Sequence, residues 1–232
     1  MNEREFILRI GEDLLRHCPD RYQVPVRKHE GRDTFRLDVE GYVTDCLKLQ
    51  RRELRLSSDG SILGAAVFRP LTPVTVYENG SSRQIFPSSD VVITDPALQT
   101  RGMRGSECGR YRFTLLQMAM YQVLGKAGLI TPKDMMVRHA TGPDSGEERL
   151  AASLAATLLM PDSVLLAMTR SRDYAPFVFY EDRIPPETER EIQRIAWDLQ
   201  VSERALRRRL RETGLLESRS RWEYPESSRY NI

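Results

Sequence analysis

The chain has 232 residues, of which 40% are hydrophobic and 29% are charged, and its formal net charge is +2. This composition excludes a disordered chain, and the length is sufficient for one or two domains with a hydrophobic core. The near-neutral charge gives no general reason to expect nucleic-acid binding. No apolar run approaches the roughly 18 residues of a membrane span, and the start, Met-Asn-Glu-Arg-Glu, is too acidic for a signal peptide.

Cysteine usage indicates a reducing compartment. Cys18, Cys46 and Cys108 are far apart, odd in number and without C-x-x-C pairing. They exclude a cysteine-based zinc knuckle, and with only three histidines in the chain a displaced histidine-rich metal site is not expected. We therefore predict a cytoplasmic protein without membrane contact.

Hydrophobic periodicity predicts helices followed by a small sheet in the first half of the chain. Apolar residues recur at helical spacing over 2–17, and Asp38 suits the N-cap of a second helix, which leads into a basic stretch at 48–55. Short β-prone runs follow at 61–68, 74–77, 83–86 and 91–94. The turn dipeptides Asp59-Gly60 and Asn79-Gly80 between them are typical of hairpins. We predict an antiparallel sheet of three or four strands.

The second half is predicted to be mainly helical. A helix spans about 109–124 and is stopped by Gly125, and the stretch 132–146 has the composition of a connector. Further helices are predicted at 147–159, 162–169, 187–199 and 203–213, with a strand or linker at 174–180. Ser202 caps the last helix and Gly214 ends it. The predicted class is α+β, with helices after a small sheet.

Residues 110–121 read Arg-Tyr-Arg-Phe-Thr-Leu-Leu-Gln-Met-Ala-Met-Tyr. The first half resembles the helix of ImmA/IrrE family zinc peptidases, usually written R-x-R-F-T-L-A-H-E-x-G-H. Residues 91–95 are similar to the family strand I-x-I-D, 148–161 to E-x-x-A-[ND]-x-F-A-A-x-L-L-M-P, and 201–215 to V-S-x-x-A-L-x-x-R-L-x-x-x-G-L. The resemblance covers most of the chain and implies a zincin-like fold, with a small antiparallel sheet packed against helices and a helical C-terminal extension.

The residues that peptidase chemistry requires are absent. Gln117 stands at the first zinc histidine, Met118 at the general-base glutamate and Tyr121 at the second histidine, whereas Glu148 falls on the third zinc ligand. A zincin needs two imidazoles at i and i+4 and a carboxylate that takes a proton from the metal-bound water. An amide and a neutral phenol are poor zinc ligands, so the zinc that the family uses is not expected here.

Alternative interpretations of these positions stay open. Gln117 and Tyr121 fill the former metal pocket, with the Tyr121 phenol donating a hydrogen bond to Glu148. Alternatively, Glu148 belongs to an acidic pair with Glu147 that complements the dipole at a helix start. A nucleophile pair of Cys108 with His139, or His139 as a substitute metal ligand, is a further alternative, although most lone Cys and His residues are structural.

The last predicted helix is basic and follows a helix-turn-helix pattern. The candidate nucleic-acid contacts are Arg204, Arg207, Arg208 and Arg211. The alternative is an arginine-covered solvent face over leucines that pack on the body. Glu203 and Glu212 dilute the charge on which phosphate binding depends, so DNA binding is the weaker interpretation.

The resemblance also implies an organisation and a function. We expect an ImmA/IrrE-like domain over 1–180, a helix-turn-helix-like subdomain over 181–216 and a tail over 217–232. Active family members cleave a helix-turn-helix repressor after a DNA-damage or mobile-element signal. We therefore expect a catalytically inactive regulator that binds a protein partner, with such a repressor as the candidate. The alternatives are an active metal-dependent endopeptidase with non-standard ligands and a DNA-binding regulator.

Overall fold

The structure is a computed structural model that describes residues 3–29, 32–99, 105–141, 145–169, 177–180 and 184–220. The predicted α+β class is confirmed. Within the described residues, no single helix has the length and apolarity to cross a bilayer; α4 (Gly146–Leu159) and α5 (Asp162–Thr169) meet that test only as a pair, and this pair is bent by 46°.

The N-terminal region begins with the predicted amphipathic helix α1 (Glu3–Arg16). A hairpin of β1 (Gln23–His29) and β2 (Arg32–Leu37) follows, which the sequence did not predict. Asp38 caps the next helix as predicted, because its carboxylate accepts a hydrogen bond from the Gly41 backbone N–H. This helix, α2 (Val39–Gly41), is a single turn that continues as a π-helical turn over Tyr42–Cys46.

The central sheet has four strands, within the predicted number of three or four. The segments that form it and the direction of one strand differ from the prediction. Its strands are β3 (Gln50–Glu53), β4 (Ile62–Val67), β7 (Val91–Thr94) and β8 (Met135–His139), in the spatial order β3-β7-β4-β8. β3 runs parallel to β7, so the sheet is mixed and the prediction of an antiparallel sheet was wrong in this respect. The strands β5 (Val74–Glu78) and β6 (Ser81–Ile85) form a separate hairpin that turns at Asn79-Gly80.

Helix α3 (Gly109–Lys126) packs on one face of this sheet and carries the segment that resembles the peptidase helix. Gly125 does not stop it, contrary to the prediction. A Cβ at Gly125 would lie 2.6 Å from the Phe68 ring, so this glycine serves close packing inside the helix. The helix ends two residues later, and Gly128 adopts the left-handed conformation that follows it.

The C-terminal region packs α6 (Pro186–Leu199) against α7 (Glu203–Glu212), close to the predicted bounds, and Ser202 caps α7 as predicted. Strand β9 (Phe177–Tyr180) pairs in parallel with β10 (Leu216–Arg219). The first part of the predicted aromatic segment, 174–176, and residues 221–232 of the predicted tail lie outside the described residues.

One large hydrophobic cluster joins α1, α3, α4, α5, α6 and α7, and a smaller one lies between the sheet and the β5–β6 hairpin. Side chains on both sides of the predicted boundary at residue 180 contribute to the large cluster, including Leu158, Met168, Ile195 and Leu210. The division into domains stays a prediction from the sequence. The shared cluster means that α6 and α7 pack on the same core as α3.

Candidate functional site

The four positions that the resemblance assigns to an active site lie on two neighbouring helices. Gln117, Met118 and Tyr121 are buried on α3, and Glu148 is buried in the first turn of α4, which packs along α3. Gln117 and Tyr121 are four residues apart and therefore share a helix face. The Glu148 carboxylate acts on the Tyr121 phenol, so these two residues face each other across the helix pair.

Met118 lies toward the sheet. A Cβ built on Gly64 of β4 would lie 3.2 Å from the Met118 Cγ and 2.9 Å from the Thr114 methyl. The absence of a side chain at residue 64 is what allows α3 to approach β4 this closely. Met118 is fully buried as part of the large hydrophobic cluster, so the residue at the position that the resemblance assigns to the general base contributes to the core.

A guanidinium group that the sequence analysis missed enters the pocket from the edge strand β8. Arg138 donates a hydrogen bond from Nη1 to Gln117 Oε1, and its Cζ lies 4.7 Å from the centre of the Phe113 ring. Burial and, to a smaller extent, the nearby Arg110 lower the Arg138 pKa to about 10, while the Glu148 carboxylate opposes both effects. The pocket therefore holds a permanent cation together with the retained carboxylate, and it is not filled by neutral groups alone.

The Tyr121 hydroxyl does not have the partner that we predicted for it. Burial and the Glu148 charge raise the pKa of this phenol, while the adjacent Gln117 side chain lowers it. Within the described residues the hydroxyl makes no hydrogen bond of normal geometry, so the predicted donation to Glu148 is wrong. The reason is that Arg138 has taken the place on Gln117 and near Glu148 that the prediction gave to the phenol.

The position of Glu148 also agrees with the alternative interpretation, in which it forms an acidic pair with Glu147 at a helix start. It lies in the first turn of α4 with Glu147, and its backbone N–H donates to the Ser145 hydroxyl that caps the helix. A carboxylate at this position complements the helix dipole. The two interpretations are compatible, because the side chain is 5% exposed and lies within electrostatic range of both Tyr121 and Arg138.

Other metal or nucleophilic groups are not assembled around this pocket. Among the described residues, no group of three or more His, Cys, Asp or Glu side chains has a geometry that could hold a metal ion. Cys108 directly precedes α3, and Gln117 lies nine positions later, about 13 Å along the helix axis. His139 is the last residue of β8 and follows Arg138, so its side chain leaves the opposite face of the strand.

A second buried arginine ties α3 to the C-terminal helices. Arg112 donates to the Leu37 carbonyl at 2.8 Å and to Gln200 Oε1 at 3.1 Å, and burial lowers its pKa to about 10. Gln200, in the turn between α6 and α7, has a φ of 54°, an unusual conformation for a residue other than glycine. Gly109 touches the same turn, where a Cβ would lie 2.5 Å from the Ser202 nitrogen.

The predicted nucleic-acid contacts are mostly engaged within the chain. Arg207 pairs with Glu189 and Glu203, Arg208 pairs with Glu212 at 2.8 Å, and Arg211 lies over the Phe179 ring at 5.4 Å. Arg204 is exposed and has no ion pair within the described residues.

The turn that would lead α7 into a DNA groove is covered by the start of α3. Val201 is buried, and Gly109 packs against both Val201 and Ser202. In helix-turn-helix proteins the residues at the N-terminus of the recognition helix contact the base edges. This contact with α3 therefore restricts the approach of a duplex to α7.

Comparisons with known proteins found no matching family model, curated protein or solved structure.

Proposed function

We propose that this chain is a catalytically inactive, ImmA/IrrE-like protein of zincin-like fold, a cytoplasmic regulator in a bacterial or mobile-element circuit that works by binding a protein partner. Its candidate partner is a helix-turn-helix repressor, the class of protein that active members of the family cleave. No cofactor and no catalysis are required by this proposal. It rests first on the three sequence segments that resemble the family in the same order.

The observation that carries the proposal is the position of Arg138. The resemblance assigns the three zinc-ligand positions to Gln117, Tyr121 and Glu148, and the Arg138 guanidinium donates to Gln117 and lies near Glu148. A zinc ion next to a fixed guanidinium is repelled, by several kcal/mol for charges a few ångströms apart at an effective dielectric constant of about 20. With this cation in place, the residues around Gln117 are poorly suited to binding zinc and therefore to metal-assisted hydrolysis.

The alternatives have less support. An active endopeptidase with other ligands needs a donor set, and Gln117, Tyr121 and Glu148 supply only one anionic group. A DNA-binding regulator needs α7 to enter a groove, and three of its four candidate arginines already contact other side chains of this chain.

Rebuilding the metal site tests the proposal. The triple variant Gln117→His, Met118→Glu, Tyr121→His restores the family pattern, and a second version adds Arg138→Met. We expect the triple variant to bind zinc weakly and the version with Arg138→Met to bind it at least about tenfold more tightly, because the repelling charge is gone. Zinc content and affinity are measured by metal analysis and competition with a chromophoric chelator.

Two results would contradict the proposal. Stoichiometric zinc in the wild-type protein, or cleavage of a repressor by it, would show an active enzyme. Failure of both rebuilt versions to bind zinc would show that the helix is aligned to the family incorrectly, and equal zinc affinity with and without Arg138 would show that the guanidinium does not repel the metal. The partner is sought by affinity capture from the source cell, and a salt-titrated DNA shift assay tests the DNA-binding alternative, since phosphate contacts weaken steeply with salt.

A further inference from the structure

Two arginines flank one aromatic ring at the mouth of the former metal pocket. Arg110 and Phe113 are three residues apart on α3 and thus neighbours on its surface. Arg138 lies over the ring of Phe113, 4.7 Å from its centre. Arg110 is exposed, and its guanidinium makes no hydrogen bond or ion pair within the described residues. The two like charges repel each other, which is also why Arg110 lowers the Arg138 pKa.

The inner side of the pocket contains hydrogen-bond donors that lack acceptors. The Tyr121 hydroxyl and the Arg138 Nε–H are both buried, and neither has a hydrogen-bond partner in the described part of the chain. Tyr121 is fully buried. Buried polar groups in native proteins are generally paired, and each exception calls for an explanation such as an absent ion or ligand. The Arg138 Nε–H can only donate and the Tyr121 hydroxyl is able to donate, so a single acceptor satisfies both groups.

An oxyanion satisfies both requirements at once. A carboxylate accepts hydrogen bonds from a phenol and from a guanidinium, and such charge-assisted bonds are stronger than neutral ones. Its negative charge also relieves the repulsion between the two arginines. Glu148 already compensates Arg138 from the inner side, which leaves the exposed Arg110 as the group that attracts an incoming anion.

We propose that this pocket binds a carboxylate, held between Arg110 and Arg138 and oriented by the Tyr121 hydroxyl. The proposal rests on the proposed function, because it gives the inactive site a ligand in place of the peptide bond that an active enzyme would hydrolyse. The carboxylate comes either from a free organic acid or from an aspartate or glutamate side chain of the partner. Arg138 is partly buried, and its Nη1 stays bonded to Gln117 while its Nε–H remains for the ligand.

Arginine side-chain NMR tests this inference. The Nε–Hε resonances of Arg110 and Arg138 are followed while zinc-free protein is titrated with acetate, with acetamide, with the peptide acetyl-Ala-Glu-Ala-Glu-Ala-amide and with its glutamine counterpart. Acetamide and the glutamine peptide have the same shapes as the two acids and lack only the charge. We expect both resonances to shift with an acid and not with its neutral match, with a Kd on the order of millimolar for a single carboxylate.

Matched variants separate the site from general charge effects. Arg110→Gln is expected to weaken binding about tenfold, and Tyr121→Phe several-fold, since each removes one bond to the anion. Arg149→Gln, which removes an exposed charge from α4, is expected to leave it unchanged. Tyr121→Phe removes one oxygen atom from the core, and its folding is checked by urea denaturation.

The outcomes distinguish the two sources and the two proposals. Shifts with acetate indicate a site open to free acids, and shifts with the glutamate peptide alone indicate a side chain of the partner; either supports the inference. Equal shifts with the neutral probes, or none with the acids, overturn it and leave the proposed function standing. Zinc bound to the wild-type protein removes the proposed function, whatever the carboxylate titration gives.

Discussion

Replacing Arg138 by methionine is expected to destabilise the protein because the guanidinium contributes three separate interactions. Methionine keeps the apolar stem and removes the charge. The hydrogen bond to Gln117 has a charged donor and is worth about 1.5–3 kcal/mol, and the contact with the Phe113 ring about 0.5–2 kcal/mol. We expect the free energy of unfolding to fall by about 2–4 kcal/mol, which is less than the full sum because Arg138 is only partly buried.

The third interaction, with Glu148, is isolated by a double-mutant cycle. Arg138→Met, Glu148→Gln and the double variant are compared with the wild type by urea denaturation. The two groups act on each other beyond direct ion-pair contact; opposite charges on the order of 6–8 Å apart attract by about 2–3 kcal/mol at an effective dielectric constant near 20, and desolvation consumes part of this. We expect a coupling energy of about 1–2 kcal/mol, so that the double variant loses less than the sum of the two single variants.

The exposed pair Arg69–Asp134 provides the control for this cycle. Its side chains are 73% and 60% exposed, and its 3.0 Å ion pair is screened by solvent. The corresponding cycle of Arg69→Met and Asp134→Asn is expected to give less than about 0.5 kcal/mol. A coupling between Arg138 and Glu148 as small as that of the control would refute the idea that the guanidinium compensates the carboxylate.

Three further predictions concern packing, a strained turn and a thiol. Gly105→Ala should lower the free energy of unfolding by about 2–4 kcal/mol, since the φ of Gly105 is 57° and a Cβ there would lie 2.1 Å from the Trp197 ring. Gly128→Ala is the control: its φ is 69° but the space around it is open, so it should cost only about 1–2 kcal/mol. Equal losses in the two variants would contradict the packing of Trp197 on Gly105. The Gln200→Ala variant should be less stable than Gln200→Gly by about 1 kcal/mol, because both lose the hydrogen bond from Arg112 but only glycine tolerates the positive φ without strain. If the alanine variant were the more stable of the two, the turn would not be strained. Burial raises the pKa of Cys18 to about 11, so roughly one in a thousand of the Cys18 thiols is ionised at pH 8. The reaction of Cys18 with Ellman's reagent should therefore accelerate about tenfold per pH unit up to pH 11. The control variant Cys18→Ser should lack only this slow phase.

Helices were predicted well from the sequence because their signals are local. Ser202 and Asp38 cap helices by a hydrogen bond to a backbone N–H a few residues away, and the apolar periodicity of α6 spans its full length. Gly125 was misjudged because its role depends on Phe68, which approaches it from the segment after β4. A glycine that ends a helix and a glycine that admits a neighbour look alike in a sequence.

The candidate site was half predicted. Gln117, Tyr121 and Glu148 were found because the resemblance assigns them positions, and Glu148 is indeed near Tyr121. Arg138 was missed because the Pro, Gly, Asp and Ser content of 132–146 indicated a connector, whereas residues 135–139 form the edge strand β8. The apolar run Met135-Met136-Val137 was the available signal. Its pairing with β4 depends on residues about seventy positions earlier in the chain, which no local pattern shows.

The parallel pairing of β9 with β10 has a mechanical consequence for the C-terminal helices. The two strands border α6 and α7 at their beginning and end, and the backbone hydrogen bonds between Phe177–Tyr180 and Leu216–Arg219 close this part of the chain into a loop. The pairing therefore fixes the two ends of this segment to each other, whereas the segment is held against the rest of the chain by other contacts, such as those of Gly109 with Ser202 and of Arg112 with Gln200. A substitution that breaks the strand pairing is thus expected to loosen the chain before α6 and after α7 while both helices stay docked on the core.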